Sequence, residues 1–182
     1  MKLIGISGSL RKASFNTALL HAAVELAPSG VTIQAETLHG IPLYNGDEEE
    51  ATGIPPRVEE MKEAIAASDG VILVTPEYNA SMPGVFKNAM DWFSRPYTDI
   101  ERIWGGTKVA IIGATPSGFG TIASQNAWLP VLRNIGAQPF TGGRVHVSHA
   151  FNVFDQHGKL TDDGARENLA GYLKAFAAWV KG

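Results

Sequence analysis

The sequence predicts a single α/β domain in which a five-stranded parallel sheet is doubly wound, with helices on both faces. Three observations carry that expectation. Short apolar runs bounded by turn residues alternate with longer stretches of helical periodicity along the 182 residues. Residues 3–7 and 71–75 show no polar alternation, the pattern of strands buried on both faces. No internal repeat, low-complexity tract or linker interrupts this order.

Residues 3–7 give the first strand. Residues 15–26 follow as a helix, with Phe15, Ala18, Leu19, Ala22, Ala23 and Leu26 at helical spacing, stopped by Pro28, Ser29 and Gly30. Residues 31–38 give the second strand. Residues 39–55 read as a loop containing Pro42, Gly46 and Gly53, with a solvated acidic run from Asp47 to Glu50. Pro56 suits a helix start, and Val58, Met61, Ile65 and Ala66 form the inward stripe of a helix that ends at Gly70.

Residues 71–75 are the third strand. A helix over 83–94 follows, stopped by Pro96; its apolar residues Val85, Phe86, Ala89, Met90, Trp92 and Phe93 cover more than one stripe. A surface helix needs only one, so part of this helix is expected to bury against a partner subunit. Residues 108–115 make the fourth strand, and 124–135 a helix whose pattern Pro130 breaks. Val145, His146 and Val147 supply the fifth strand, and 169–180 the closing helix.

Composition narrows the function. Hydrophobic residues make up 45% and charged residues 18%, enough apolar material for a globular core. Fifteen basic against eighteen acidic residues leave a formal charge of -3, without the basic surface that nucleic-acid binding requires. With no cysteine, disulfides, thiolate metal sites and cysteine nucleophiles are excluded. The opening apolar run is short for a secretory signal and no segment approaches a membrane span, so the expected location is the cytoplasm. His146 and His149, three apart on an expected strand, should face opposite sides and so share no metal. With His21, His39 and His157, all five histidines read as structural or solvated.

Ligands of open parallel sheets bind beyond the carboxyl ends of the strands, which directs attention to three loops. The first, Gly8-Ser9-Leu10-Arg11-Lys12-Ala13-Ser14-Phe15-Asn16-Thr17, runs from a strand into a helix start. Its hydroxyls, the Asn16 amide, Arg11 and the free amides of the helix start suit a phosphate monoester. Read alone it also fits an ordinary loop with Ser14 as helix cap. It matches neither a Walker loop nor a dinucleotide fingerprint. The second, Thr75-Pro76-Glu77-Tyr78-Asn79-Ala80-Ser81-Met82-Pro83, is stiffened by two prolines and offers a flat ring and backbone polar groups. The third, Ala114-Thr115-Pro116-Ser117-Gly118-Phe119-Gly120-Thr121, is made of small residues where bulk would not be tolerated. Read singly, these last two also fit plain turns.

Taken together, Gly8-Ser9-Leu10-Arg11-x-x-Ser14-x-Asn16, Thr75-Pro76-Glu77-Tyr78-Asn79 and Lys87-Asn88-Ala89-x-Asp91-Trp92 resemble the NADPH-dependent FMN reductases. Within them the chain is similar to the bacterial quinone and chromate reductase branch, over nearly its whole length. The resemblance implies a flavodoxin-like fold with strand order 2-1-3-4-5, FMN as cofactor and NADH or NADPH as co-substrate. It implies that Ser9, Arg11, Ser14, Phe15, Asn16 and Thr17 surround the FMN phosphate. Pro76, Glu77, Tyr78 and Asn79 would contact the isoalloxazine ring, and Thr115, Pro116, Ser117 and Gly118 the ribityl and ring side.

The implied reaction is a ping-pong transfer of hydride through flavin N5 to a small acceptor: a quinone, free flavin, azo compound or metal oxyanion such as chromate. The flavin carries the chemistry, so no side chain is expected to be catalytic. Similar proteins are homodimers or tetramers. In the chromate-reducing branch the helix after the third loop carries an arginine and a tyrosine that tie the tetramer; here it reads Ala123-Ser124-Gln125-Asn126-Ala127-Trp128. A homodimer is therefore the expectation. Arg95 reads first as a solvated helix-end arginine and second as a contact for nicotinamide phosphates. The competing functions are an FMN electron carrier without NAD(P)H activity, which should be more acidic, and a flavin-free regulatory protein.

Overall fold

β1 (Lys2–Ser7) pairs in parallel with β2 (Thr32–Thr37) on one side and β3 (Gly70–Val74) on the other, and β4 (Lys108–Ala114) extends the sheet beyond β3. The computed structural model describes residues 1–182 throughout. All five residues of β3 are buried, whereas β2 at the edge alternates polar Thr32, Gln34 and Glu36 with its single buried residue, Ile33. Central strands are covered on two faces and edge strands are not, and the residue types follow that difference.

The strand order is β2-β1-β3-β4-β5, as the resemblance implied, with one modification. Two short segments share the fifth position: β5 (Gln138–Pro139) pairs with the start of β4, and β6 (Val145–Val147) with its end. Only β6 was expected. Pro139 has no N–H for a ladder and Gly142-Gly143 weakens strand structure, so the chain leaves the sheet between them.

Side-chain alternation divides the core in two. Ile4, Ile6, Val71 and Leu73 face α3 (Pro56–Ala66), α4 (Gly84–Phe93), α5 (Ile100–Trp104) and α6 (Ile122–Asn134). Leu3, Ile72, Val74 and Ala110 face α1 (Phe15–Glu25) and α8 (Asp163–Lys181). Pro130 stays inside a continuous α6, and α8 begins at Asp163 because Asp162 caps it, accepting from Ala165 N–H at 2.8 Å. No helix is long and apolar enough to cross a membrane.

Two expectations fail on one segment. Residues 39–55 are not all loop: α2 (Gly46–Thr52) forms there, capped by Asn45 and with Asp47, Glu48 and Glu49 in its first turn. Carboxylates at that end offset the helix dipole. Nor does α4 need a partner subunit to bury its wide apolar surface. Trp92 donates its indole N–H to Pro42 O at 3.0 Å, the Tyr44 ring meets it edge-on at 4.9 Å, and Asn88 grips Pro42 O and Tyr44 N–H at 2.8 Å each. Residues 42–49 thus form a strap over α4, closed by Glu49, whose carboxylate takes the Arg95 Nε–H at 2.8 Å. Arg95 is accordingly an anchored side chain, lying 4.1 Å from the Tyr97 ring centre, and not a solvated one.

Candidate functional site

The three loops singled out in the sequence meet at the carboxyl ends of β1, β3 and β4. A cleft joins them, lined by Ser9, Arg11, Ser14, Phe15 and Asn16 from the first, Pro76, Glu77 and Tyr78 from the second, and Ala114, Thr115 and Pro116 from the third. Thr17 lies behind it, with its hydroxyl 2.8 Å from that of Ser7. Asn79, Ser117 and Gly118 stand outside the cleft on exposed backbone.

In the first loop Gly8 is required by close approach rather than by a turn: a Cβ there would collide with Phe86 and Pro76. Ser14 is the N-cap of α1, its oxygen accepting from Asn16 and Thr17 N–H at 3.2 Å each. A capping oxygen keeps its own proton, so Ser14 can still donate to a ligand. The backbone N–H groups of Ser9, Leu10 and Lys12 to Phe15 have no acceptor in the protein. Such a run of unpaired donors at a helix start forms an anion cradle. The exposed Arg11 guanidinium adds the only charged donor lining the cleft.

Asn16 has another engagement. Its side chain donates to Ala114 O and accepts from Ala114 N–H, both at 2.9 Å, and the residue is buried. It therefore joins the first loop to the third.

In the second loop the chain reverses tightly. Tyr78 and Ser81 exchange backbone hydrogen bonds at 3.0 and 3.1 Å, with Asn79 and Ala80 between them at φ 51° and 57°. Two successive left-handed residues make the turn that suits a hairpin; asparagine tolerates it, and alanine is strained there. Pro76 is buried, and Tyr78 stands out at the cleft edge. Glu77 is not merely solvated: its Oε2 accepts from Ser124 N–H at 3.1 Å. Ser124 is in the first turn of α6, whose N-cap residue Thr121 has a left-handed backbone and offers no side-chain cap. A carboxylate from a neighbouring loop thus supplies the missing cap.

Behind this lies a buried chain of polar side chains. Thr75 Oγ1 sits 2.8 Å from Ser124 Oγ, donates to Pro76 O, and receives the Trp128 indole N–H at 3.1 Å. Ser124 and Trp128 lie on α6. Here they act inside the subunit.

The third loop is held from β6. Thr115 N–H reaches Val147 O at 2.9 Å, Ala150 N–H returns to Thr115 O, and His149 N–H reaches Ser117 O at 2.9 Å. Gly113 admits no side chain, because a Cβ would meet Thr75 O and the Thr121 hydroxyl. His149 is not on the strand; it has left-handed backbone before α7 (Ala150–Val153). The Gln125 amide donates to Thr121 Oγ1 and Val145 O, leaving its oxygen to accept from His146 Nε2 at 3.1 Å. Burial, helped by Arg144, pushes the His146 pKa down.

The cleft is chemically matched to FMN. A phosphate monoester would find free amides, hydroxyls and one guanidinium there, and Pro76, Tyr78 and Pro116 would give apolar walls for a flat ring. The description NADPH-dependent FMN reductase belongs to the family whose sequence pattern matches residues 1–152. The chain belongs to that family. It is an FMN-dependent oxidoreductase of flavodoxin-like fold that works with NAD(P)H.

Relatives agree over the full length. A Pseudomonas aeruginosa protein called NAD(P)H-dependent FMN reductase is 44% identical over 100% of this chain and 96% of its own. A Burkholderia 2-hydroxy-1,4-benzoquinone reductase is 36% identical over 100% and 97%. The solved structure of a flavoenzyme NAD(P)H:(acceptor) oxidoreductase from Paracoccus denitrificans superposes with a TM-score of 0.87 at 30% identity, over 99% of this chain and 97% of that one.

The residues that sequence reasoning missed are Gly113, Ser124 and Trp128. Ser124 and Trp128 act on Thr75 and Glu77 from 47 to 53 positions away, and no local pattern signals that.

Proposed function

We propose that this protein is a cytoplasmic NAD(P)H:quinone reductase that works by a ping-pong cycle. FMN, when bound, would supply the redox chemistry that links NAD(P)H to the acceptor. Ser9, Arg11 and Ser14 would hold the phosphate, with Thr17 supporting them from behind and the free amides of residues 12–15 completing the cradle. Asn16 serves the same end indirectly, by fixing the loop against Ala114. Pro76 to Asn79 would bear on the ring, and the free backbone N–H groups of Glu77 and Asn79 would offset negative charge on its pyrimidine edge. Thr115 and Pro116 would line the ribityl side, with Ser117 and Gly118 on the exposed backbone just beyond it. No side chain acts as nucleophile or general acid.

The observation that carries this reading is the run of unpaired N–H donors in the first loop beside an open cleft with apolar walls. Quinones lead the acceptors because a flat ring can follow the nicotinamide into the same slot, and quinone-reducing relatives match the full length. Free flavins, azo compounds and chromate are further acceptors of an open site. The working unit is a homodimer: Tyr78, Phe119, Ile122 and Leu129 are between 42% and 73% exposed around the cleft mouth and the outer side of α6. An apolar rim of this kind suits an interface.

Mixing the yellow protein anaerobically with NADH or NADPH tests the reading. The flavin colour should bleach without any protein partner and return on adding benzoquinone. Persistence of the oxidised spectrum would leave only an electron carrier.

A further inference from the structure

A second cavity adjoins the cleft and shares Arg11, Ser14 and Phe15 with it. It runs along the outer side of α1, between that helix and residues 151–158. Three aromatic rings form its wall. Phe15 meets Phe151 edge-on at 5.0 Å and Phe154 at 5.5 Å, and Phe151 is 73% exposed. An aromatic face left in water beside packed rings is a stacking platform.

The charged groups on this cavity are Arg11, Lys12 and Asp155, with His21 and His157 as titratable neighbours. Asp155 is committed to its own turn, accepting from His157 and Lys159 N–H at 2.8 and 2.9 Å. Its carboxyl is held below the usual range by those donors. Two fixed cations thus stand beside aromatic rings, and the proposed reaction at the cleft uses neither the Lys12 side chain nor Phe151.

We infer that this groove is an adenosine subsite, through which the protein accepts FAD as well as FMN. The inference rests on the phosphate-cradle reading of the first loop. A phosphate held there lies at the boundary between the two cavities. A monoester ends at that boundary. A pyrophosphate continues across it, placing its second phosphoryl group near Arg11 and Lys12 and its adenine against Phe151. The adenosine half of NAD(P)H is the less direct occupant, since it would have to reach the groove from the ring end of the cleft, across the phosphate.

The test equilibrates the purified holoprotein with equimolar FMN and FAD, removes free flavin and measures the two bound forms by chromatography. The wild type should retain FAD within tenfold of FMN. Phe151→Ala should lower the FAD:FMN ratio at least fivefold at unchanged total flavin, and Lys12→Glu should lower the ratio by at least as much. A wild-type ratio below 1:100, or one that neither variant moves, overturns the subsite. So does a raised KM for NADPH in Phe151→Ala with an unmoved flavin ratio, which assigns the groove to the pyridine nucleotide. Arg11→Ala separates the two layers of the argument: it should lower total flavin of both kinds. Unchanged total flavin would instead sink the cradle reading beneath the subsite.

Discussion

The Asn16 side chain and the Ala114 peptide exchange two hydrogen bonds of 2.9 Å across 98 positions of sequence. The pair ties the start of α1 to the end of β4, so the first and third loops of the proposed flavin site move as one piece. Both groups are buried. Removing the amide leaves a buried N–H and a buried C=O without partners, each costing about 1–3 kcal/mol.

Asn16→Ala should therefore lower unfolding free energy by about 3 kcal/mol, read as a lower midpoint in urea with unchanged slope. Asn16→Asp keeps an acceptor for Ala114 N–H but sets a carboxylate against Ala114 O. It should recover little of the loss.

Arg11→Ala tests the phosphate cradle. The side chain is exposed and makes no ion pair within the protein, so stability without flavin should change by less than about 0.5 kcal/mol. FMN affinity should fall roughly tenfold to a hundredfold, the loss of one charge-assisted contact. Equilibrium dialysis of FMN would expose the assignment as wrong if affinity held.

Glu77→Ala removes the borrowed cap of α6. A lost N-terminal cap costs about 1 kcal/mol, and thermal unfolding should shift down accordingly. Glu77→Gln preserves an acceptor for Ser124 N–H and should restore most of the difference. Equal losses in both would show that the charge, and not the hydrogen bond, matters.

Among the carboxylates, Asp99 should lose the most stabilisation in acid. It pairs with the fully buried Lys62 ammonium at 2.8 Å and with Arg102 at 2.7 Å. Hydrogen bonds from Arg102 and Lys62 hold its carboxyl well below the ordinary carboxylate range. Because the folded value lies below the unfolded one, the stabilisation is complete above about pH 4–5 and fades as pH falls through the folded value. Asp99→Asn should cost about 2 kcal/mol at pH 7 and much less near pH 2, flattening the acid limb of a stability–pH curve. An acid limb unchanged from wild type would count against this account.

Most of the sheet was readable because each long strand is a local fact. Residues 71–75 are apolar throughout, and the loops at the strand ends carry their glycines, hydroxyls and prolines in short contiguous runs. What escaped was either polar or distant. α2 has no apolar stripe, since its residues pack little and its stability comes from Asn45 and the acidic first turn. The breadth of α4 was visible, but its cover was not. The sequence cannot show that Pro42, Tyr44 and Glu49 lie across a helix more than 35 residues later. The Glu77–Ser124 contact is hidden for the same reason, and β5 is too short at two residues to leave a pattern.

The family match ends at residue 152, but the core does not. Leu169, Tyr172, Leu173 and Phe176 of α8 close over the same side of the sheet as Leu19, Leu20 and Ala23 of α1, and Arg166 clasps Glu25 at 2.7 Å. All three loops of the proposed flavin site precede residue 122, yet α1, which carries the first of them, is covered only by this last helix. A helix that never touches the cleft thus holds in place the one that opens onto it.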